Sequence, residues 1–188
     1  SNDEPTIDAL SDININEDDP EQFVDLTGIS AGVGETQPLS ITAVSDNADL
    51  IPYPTISYTS PNSTGSLFFS TASDQSGTAT ITVTVEDGGL DNNLATPEDN
   101  GIINRTVIVK VDSVNDAPVL DPAASPQLSA INEDAGVPVG QVGTLVSDLI
   151  DTGGVHNNFS DIDGDLPGIA ITGTNLQGGT LYYSIDDG

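Results

Sequence analysis

The sequence predicts an all-β protein made of tandem immunoglobulin-like, Greek-key sandwiches, and three observations support this fold class. Apolar residues alternate with polar ones over short segments, turn-forming residues separate those segments, and one opening segment occurs twice. About seven short strands over roughly 110 residues are typical of an immunoglobulin-like sandwich.

The clearest predicted strand covers residues 77–86, in which Ala79, Ile81, Val83 and Val85 alternate with threonines. Such a strand packs one face on a core and exposes the other, as in antiparallel sheets. Residues 39–44 and 102–111 alternate in the same way, and shorter strands are predicted at 5–9, 13–15, 56–58 and 67–69.

An internal repeat predicts two modules. Ile15-Asn-Glu-Asp18 recurs as Ile131-Asn-Glu-Asp134, a spacing of 131 − 15 = 116, and each copy follows a Pro-x-[Ile/Leu]-Asp opening. Because Pro118 follows the last strand of the first module, we place the modules at residues 3–116 and 117–188.

The second module departs from the first after its opening. Apolar residues at helical spacing predict a short helix near residues 143–150, and strands are predicted at 169–171 and 180–185. We expect this module to be incomplete, lacking about two strands of the sandwich. We interpret Ser1-Asn2 as a remnant of expression.

The charge balance excludes two classes of partner. Two basic and 30 acidic residues give a net charge of −28, whereas nucleic acids and anionic membranes require clustered Lys or Arg. No apolar segment is long enough to insert into a membrane. The chain has no cysteine, and its bias toward Thr, Ser, Asn, Gly and Asp predicts an extracellular bacterial surface protein.

Many acidic residues lie beside Gly, Asn or Pro, where carboxylate and carbonyl oxygens could together bind a hard cation such as Ca²⁺. Solubility of a secreted protein is the alternative explanation for the excess of acid. The candidate ligands are Glu17 in the repeated segment, Glu86 and Asp87 at the end of a strand, Asp112, Asn115 and Asp116 before Pro118, and Asp161 and Asp163.

The Asp161-x-Asp163 segment is not a helix-loop-helix calcium loop. Counting from Asp161, the positions that require Gly and Glu hold Leu166 and Thr172. In an extended segment, however, every second side chain returns to the same side, so both carboxylates could bind one ion. A solvated Asp/Gly turn is the alternative.

The chain resembles the cadherin-like repeats of very large bacterial surface proteins and adhesins. The closing strand with Val114-Asn-Asp-Ala-Pro118, the Ile-Asn-Glu-Asp opening and the Ser160-Asp-x-Asp163 segment carry this resemblance. In animal cadherins calcium lies between modules, so the resemblance implies that Glu17, Glu86, Asp87, Asp112, Asn115 and Asp116 join Asp161 and Asp163 as ligands. It also implies that Glu133 and Asp134 serve a following junction.

The resemblance further implies a function. Calcium would stiffen an extended array of repeats and support cell adhesion, with neighbouring repeats of the same chain as partners and a cell-surface protein or polysaccharide beyond them. The alternative is a polysaccharide-binding accessory module of a secreted enzyme, which the absence of Trp weakens.

We predict that the chain is not an enzyme. His156 is the only histidine, there is no cysteine, and no Gly-x-Ser-x-Gly segment occurs, which disfavours a catalytic triad and a zinc site. A carboxylate pair for glycoside hydrolysis stays open, because aspartates are abundant.

Overall fold

The computed structural model describes residues 1–121, 123–140, 142–150 and 158–185. The fold is all-β, as predicted, and the chain divides into two compact units, residues 1–114 and 115–188. The predicted boundary after residue 116 lies two residues beyond the observed one. The predicted immunoglobulin-like and Greek-key topology remains a prediction.

Unit 1 is a β-sandwich of two sheets. The four-stranded sheet has the order β1-β7-β6-β3, with β1 parallel to β7 and the other pairs antiparallel, and the three-stranded antiparallel sheet has the order β2-β5-β4. The strands are β1 (Ile13–Asn16), β2 (Gln22–Leu26), β3 (Leu39–Ser45), β4 (Thr55–Ser57), β5 (Gly65–Phe69), β6 (Gly77–Asp87) and β7 (Ile102–Asp112).

Alternation in sequence becomes alternation in burial. Along β6 every second side chain from Ala79 to Asp87 is buried, and Val107, Val109 and Val111 of β7 are buried on the same face. Both sheets contribute to one apolar core, which includes Leu26, Leu67 and Phe69 from the three-stranded sheet and Ile81, Val83, Val85, Val107 and Val109 from the four-stranded sheet. Full burial of such a side chain stabilises the fold by about 1.5–3 kcal/mol.

The register of the four-stranded sheet sets which loops meet. Gly77 pairs with Val111 and Glu86 pairs with Ile102, while Leu39 pairs with Asp87. The sheet therefore has a linker end, where β1 and β7 finish at Asn16 and Asp112, and a far end, where β6 finishes at Asp87 and β3 and β7 begin. The last residues of β6 and β7 lie at opposite ends, because the two strands are antiparallel.

The observed strands differ from the predicted ones. The strand β2 was not predicted, because Phe23 and Val24 are adjacent apolar residues that break the alternation. The predicted strand at 5–9 forms only an isolated bridge between Thr6 and Ser30. In unit 2 the predicted strands at 169–171 and 180–185 are wrong, since neither segment joins a sheet.

Unit 2 has little regular structure among its described residues. A short ladder pairs β8 (Val119–Leu120) with β9 (Phe159–Ser160). A 3-10 turn at Val146–Asp148 occupies part of the predicted helix. His156 lies outside the described residues. No helix among the described residues is long and apolar enough to cross a membrane.

Candidate metal-binding residues

The Glu17 carboxylate is fixed at the linker end of unit 1. The parallel pairing of Asn16 with Asp112 brings β1 beside the end of β7, where the Glu17 N–H donates to the Asp112 carbonyl at 2.9 Å. The Val114 N–H donates to Glu17 Oε1 at 2.7 Å, and only 5% of the Glu17 surface is exposed. Two strands distant in sequence thus hold one oxygen of this carboxylate, and its second oxygen could bind a cation.

Asp112 lies at the same end but in a different environment. Its exposed carboxylate accepts hydrogen bonds from Lys110 and from Asn14 Nδ2, the latter at 2.9 Å. The bonds from Lys110 and Asn14 hold the pKa of the Asp112 carboxyl below its ordinary value. Asp112 already has a protein cation as its partner, which makes it a poorer calcium ligand than Glu17.

Unit 2 brings three of its predicted ligands together. The Asp116 N–H donates to Asp163 Oδ2 at 2.6 Å, so the Asp-x-Asp segment contacts the residues that precede Pro118. Asp161 Oδ1 accepts N–H bonds from Asp163 at 3.0 Å and from Asp165 at 3.4 Å. These bonds fold the backbone around the Asp161 carboxylate, and Asp163 links this segment to Asp116.

A cavity of about 380 Å³ lies beside this group in unit 2. Asn115, Asp116, Asp161 and Asp165 line one part of it, and apolar residues such as Phe159 line another. Asn115 Nδ2 donates to the Asp116 carbonyl at 2.8 Å, which leaves the Asn115 amide oxygen as an additional acceptor. The donor set of this group is oxygen only, which suits Ca²⁺ rather than zinc.

The predicted grouping of Glu86 and Asp87 with Glu17 and Asp112 is wrong. Both residues finish β6 at the far end of the sheet, and ten residues of ladder, Gly77 to Glu86, separate them from the linker end. At about 3.4 Å per residue this is on the order of 30 Å. The antiparallel order of two consecutive strands was the signal that could have excluded this grouping.

A polar group at the far end of unit 1 was not predicted. Asn2 Nδ2 donates to Asp87 Oδ1 at 3.0 Å and to the Asp99 carbonyl at 3.1 Å, so the residue interpreted as a remnant of expression belongs to the hydrogen-bond network of the sandwich. A sequence signal existed, because Asn2-Asp3-x-Pro5 repeats Asn115-Asp116-x-Pro118 at a spacing of 115 − 2 = 113.

Neither a family model nor a curated protein matches this chain. Among solved structures, the chain is similar to domains 4 and 5 of the S-layer protein SbsC, with a TM-score of 0.40, 13% sequence identity and coverage of 60% of this chain and 53% of that chain. A nucleoside hydrolase-related hypothetical protein from Saccharophagus degradans, associated with carbohydrate metabolism, is similar with a TM-score of 0.35, 17% identity and coverage of 60% and 26%. The chain thus spans about half or less of each, and these TM-scores are too low to indicate a function.

Proposed function

We propose that this chain is a calcium-binding repeat of an extracellular bacterial surface protein, which calcium stiffens so that the protein extends from the cell and supports adhesion. The observation that carries the proposal is the arrangement of Asp116, Asp161 and Asp163 in unit 2. Hydrogen bonds connect Asp116 to Asp163 and Asp163 to Asp161, in a chain with two basic and 30 acidic residues.

Electrostatics favours a divalent ion at this group. Carboxylates in one short hydrogen-bonded segment repel one another, and a bound cation offsets that repulsion. Carboxylate, amide and backbone oxygens are the ligands that Ca²⁺ accepts in flexible geometries. Asn115, Asp116, Asp161 and Asp163 offer all three kinds of oxygen.

Glu17 supports the same proposal from unit 1. Its carboxylate is nearly buried, and one oxygen accepts a backbone hydrogen bond at the end of β7. A ligand that is already ordered loses little conformational entropy when it binds an ion. Glu17 is therefore suited to bind a cation at the linker end of unit 1.

The test is to remove calcium from the full chain. Extracellular calcium modules have Kd values around 10⁻⁴ to 10⁻³ M, and at a hundredfold excess over Kd binding stabilises the folded state by about 2.7 kcal/mol. We expect a chelator to lower the melting temperature and to increase flexibility measured by small-angle X-ray scattering. Asp163→Asn should reduce both responses, whereas Asp25→Asn, an exposed acid in the middle of β2, is the matched control. Identical melting and scattering curves with and without chelator would contradict the proposal.

One observation favours the alternative of polysaccharide binding. Phe23 and Phe68 form a cross-strand pair on the outer face of the three-stranded sheet, with ring centroids 6.4 Å apart, and 65% of Phe23 is exposed. An exposed aromatic face is suited to packing against the apolar face of a sugar ring. Glycan-array binding that persists in chelator and is lost in Phe23→Ala would support this alternative over calcium-dependent extension.

A further inference from the structure

The Asp87 carboxylate at the far end of unit 1 has one oxygen that is fully hydrogen-bonded and one that is not. The residue is 0% exposed, and Oδ1 accepts bonds from Gly101 N at 2.8 Å, Gly89 N at 2.9 Å and Asn2 Nδ2 at 3.0 Å. Oδ2 is buried and accepts no hydrogen bond from any described residue. A buried charged oxygen without a partner costs several kcal/mol unless something positive compensates it.

Two side-chain amide oxygens at the far end of unit 1 resemble Asp87 Oδ2. Gln37 Oε1 and Asn100 Oδ1 are buried and have no hydrogen-bond donor within the part of the chain that the structure describes. Their NH₂ groups are occupied, since Gln37 Nε2 donates to Asn2 Oδ1 at 2.9 Å and Asn100 Nδ2 donates to Glu86 Oε1 at 2.7 Å. The side-chain NH₂ groups of this network therefore donate hydrogen bonds. Three acceptor oxygens, Asp87 Oδ2, Gln37 Oε1 and Asn100 Oδ1, receive none from the described residues.

The register of the sheet places these residues at one end. Leu39 pairs with Asp87, which brings Gln37 beside the loop that follows β6, and Glu86 pairs with Ile102, which brings Asn100 beside the same loop. The hydrogen bonds from Gln37 to Asn2 and from Asn2 to Asp87 join the segments directly.

No salt bridge to Asp87 occurs among the residues that the structure describes. Arg105 and Lys110 are the only basic residues in the sequence. Lys110 pairs with Asp112 at the linker end, and Arg105 lies within the β6–β7 ladder opposite Val83, with Nη1 bonded to the Asn104 carbonyl. Since neither of these side chains pairs with Asp87, a bound cation could compensate the charge at Oδ2.

The backbone at this end approaches the Asp87 carboxylate closely. A Cβ added at Gly101 would lie 2.5 Å from Asp87 Oδ2 and 2.9 Å from Pro5 Cδ. Only glycine allows this approach, because a Cβ at position 101 would collide with Oδ2 and with Pro5.

We propose that the far end of unit 1 binds its own calcium ion, with Asp87 Oδ2 as the charged ligand and Gln37 Oε1 and Asn100 Oδ1 as carbonyl ligands. Oxygen-only donors, one of them a carboxylate, suit Ca²⁺, whereas zinc requires nitrogen or sulfur. The site lies within one unit and needs no ligand from the linker end. This far-end site extends the proposed function, because it rests on the same cation. The linker acids take no part in it.

The experiment is a CaCl₂ titration of the isotope-labelled full chain followed by NMR, with MgCl₂ at equal ionic strength as the control. The Gly89 and Gly101 amides report on the far end because both donate to Asp87, and the Val114 and Gly164 amides report on the residues of the proposed function. We expect saturable shifts of the Gly89 and Gly101 signals with calcium. Asp87→Asn should abolish them, and Glu17→Gln should leave them unchanged.

A second pair of variants keeps the test valid should Asp87→Asn fail to fold. Asn100→Ala removes one neutral ligand and should weaken calcium binding at the far end several-fold, whereas Asn100→Asp adds a charged ligand and should tighten it by about tenfold, because affinity follows ligand charge. Gly89 and Gly101 signals that do not respond to calcium, or that respond equally in all variants, would overturn this site. Calcium-dependent shifts confined to the Val114 and Gly164 signals would overturn the far-end site while leaving the proposed function intact. Shifts confined to the Gly89 and Gly101 signals would support the far-end site without binding by the linker acids.

Discussion

The segment Ile-Asn-Glu-Asp occurs in both units and folds into the same turn in each. Asp18 and Asp134 both have φ of 62°. The turn hydrogen bonds also correspond, with the Asp19 N–H donating to the Asn16 carbonyl at 3.4 Å and the Ala135 N–H donating to the Asn132 carbonyl at 3.3 Å. Four identical residues produce the same local conformation in two different surroundings.

The side chains of the two copies differ in burial and in the contacts that they make. Ile15 packs against the core of unit 1 and Glu17 is 5% exposed, whereas Ile131 is 81% exposed and Glu133 lies at the surface. The cause is β7, which pairs with β1 and leads directly to Val114, the residue whose N–H donates to Glu17. Local sequence therefore determines this turn. A strand distant in sequence determines whether the glutamate in the turn is an ordered ligand.

The largest difference is expected for the isoleucines. Ile15→Ala removes methyl groups that pack on the core and should lower the free energy of unfolding by about 2 kcal/mol. Ile131→Ala removes a solvated side chain and should change it by less than about 0.5 kcal/mol. Denaturant unfolding of the full chain, followed by circular dichroism, measures both. Equal losses would mean that the second copy is packed as tightly as the first.

The glutamates should give the next largest difference. Glu17→Ala leaves the Val114 N–H without its acceptor and should cost about 1–3 kcal/mol, because the partner of a lost buried hydrogen bond stays desolvated. Glu17→Gln keeps an acceptor oxygen and should cost less. Glu133→Ala is the matched control and should be nearly neutral. Hydrogen exchange of the Val114 amide offers a direct check, since it should accelerate in Glu17→Ala and stay slow in Glu133→Ala.

The aspartates in the turn should show no difference between the units. Asp18 and Asp134 occupy the left-handed region, which glycine adopts more readily than other residues. Asp18→Gly and Asp134→Gly should therefore each change stability by less than about 1 kcal/mol and in the same direction. Exchange rates of the Asp19 and Ala135 amides measure the two turns separately. Opposite responses would show that tertiary contacts, rather than the four residues, hold the turn.

The smallest effect is expected from the exposed pair of Lys110 and Asp112. This pair lowers the pKa of the Asp112 carboxyl, so its stabilisation is complete above the unfolded-state pKa of about 3.9 and disappears as pH falls through the lower folded-state pKa. Lys110→Gln should therefore lower the free energy of unfolding slightly at neutral pH. At a pH below both the folded-state and the unfolded-state pKa of Asp112 it should not. Chemical denaturation at pH 6 and at low pH measures this, and a deficit that persists in acid would contradict it.

The strands with strict alternation were predictable from sequence. Residues 39–44, 77–86 and 102–111 correspond to β3, β6 and β7, because one buried and one solvated face impose a period of two. The segments 169–171 and 180–185 have similar apolar residues but form no ladder, since a strand also requires a partner edge that sequence periodicity does not supply.

The candidate ligands were identified by residue type but not by location. Asp87 and Asp112 both end a predicted strand, and the antiparallel ladder carries them to opposite ends of the sheet. Gln37 and Asn100 were missed because neutral amides are common in a polar chain and nothing in their local sequence distinguishes them. Asn2 was missed although its Asn-Asp-x-Pro segment recurs at residues 115–118. Only the sheet register brings them beside a buried carboxylate.

The sequence by itself determined the fold class, the strands with period-two alternation, the repeated turn and the excess of oxygen-bearing side chains over basic ones. These properties depend on neighbouring residues or on composition alone. The tertiary structure decided which carboxylates are buried, which of them already have a protein partner and which acids and amides share one end of the sandwich. Those properties depend on pairing between strands tens of residues apart, and a residue's own neighbours in sequence do not specify that pairing.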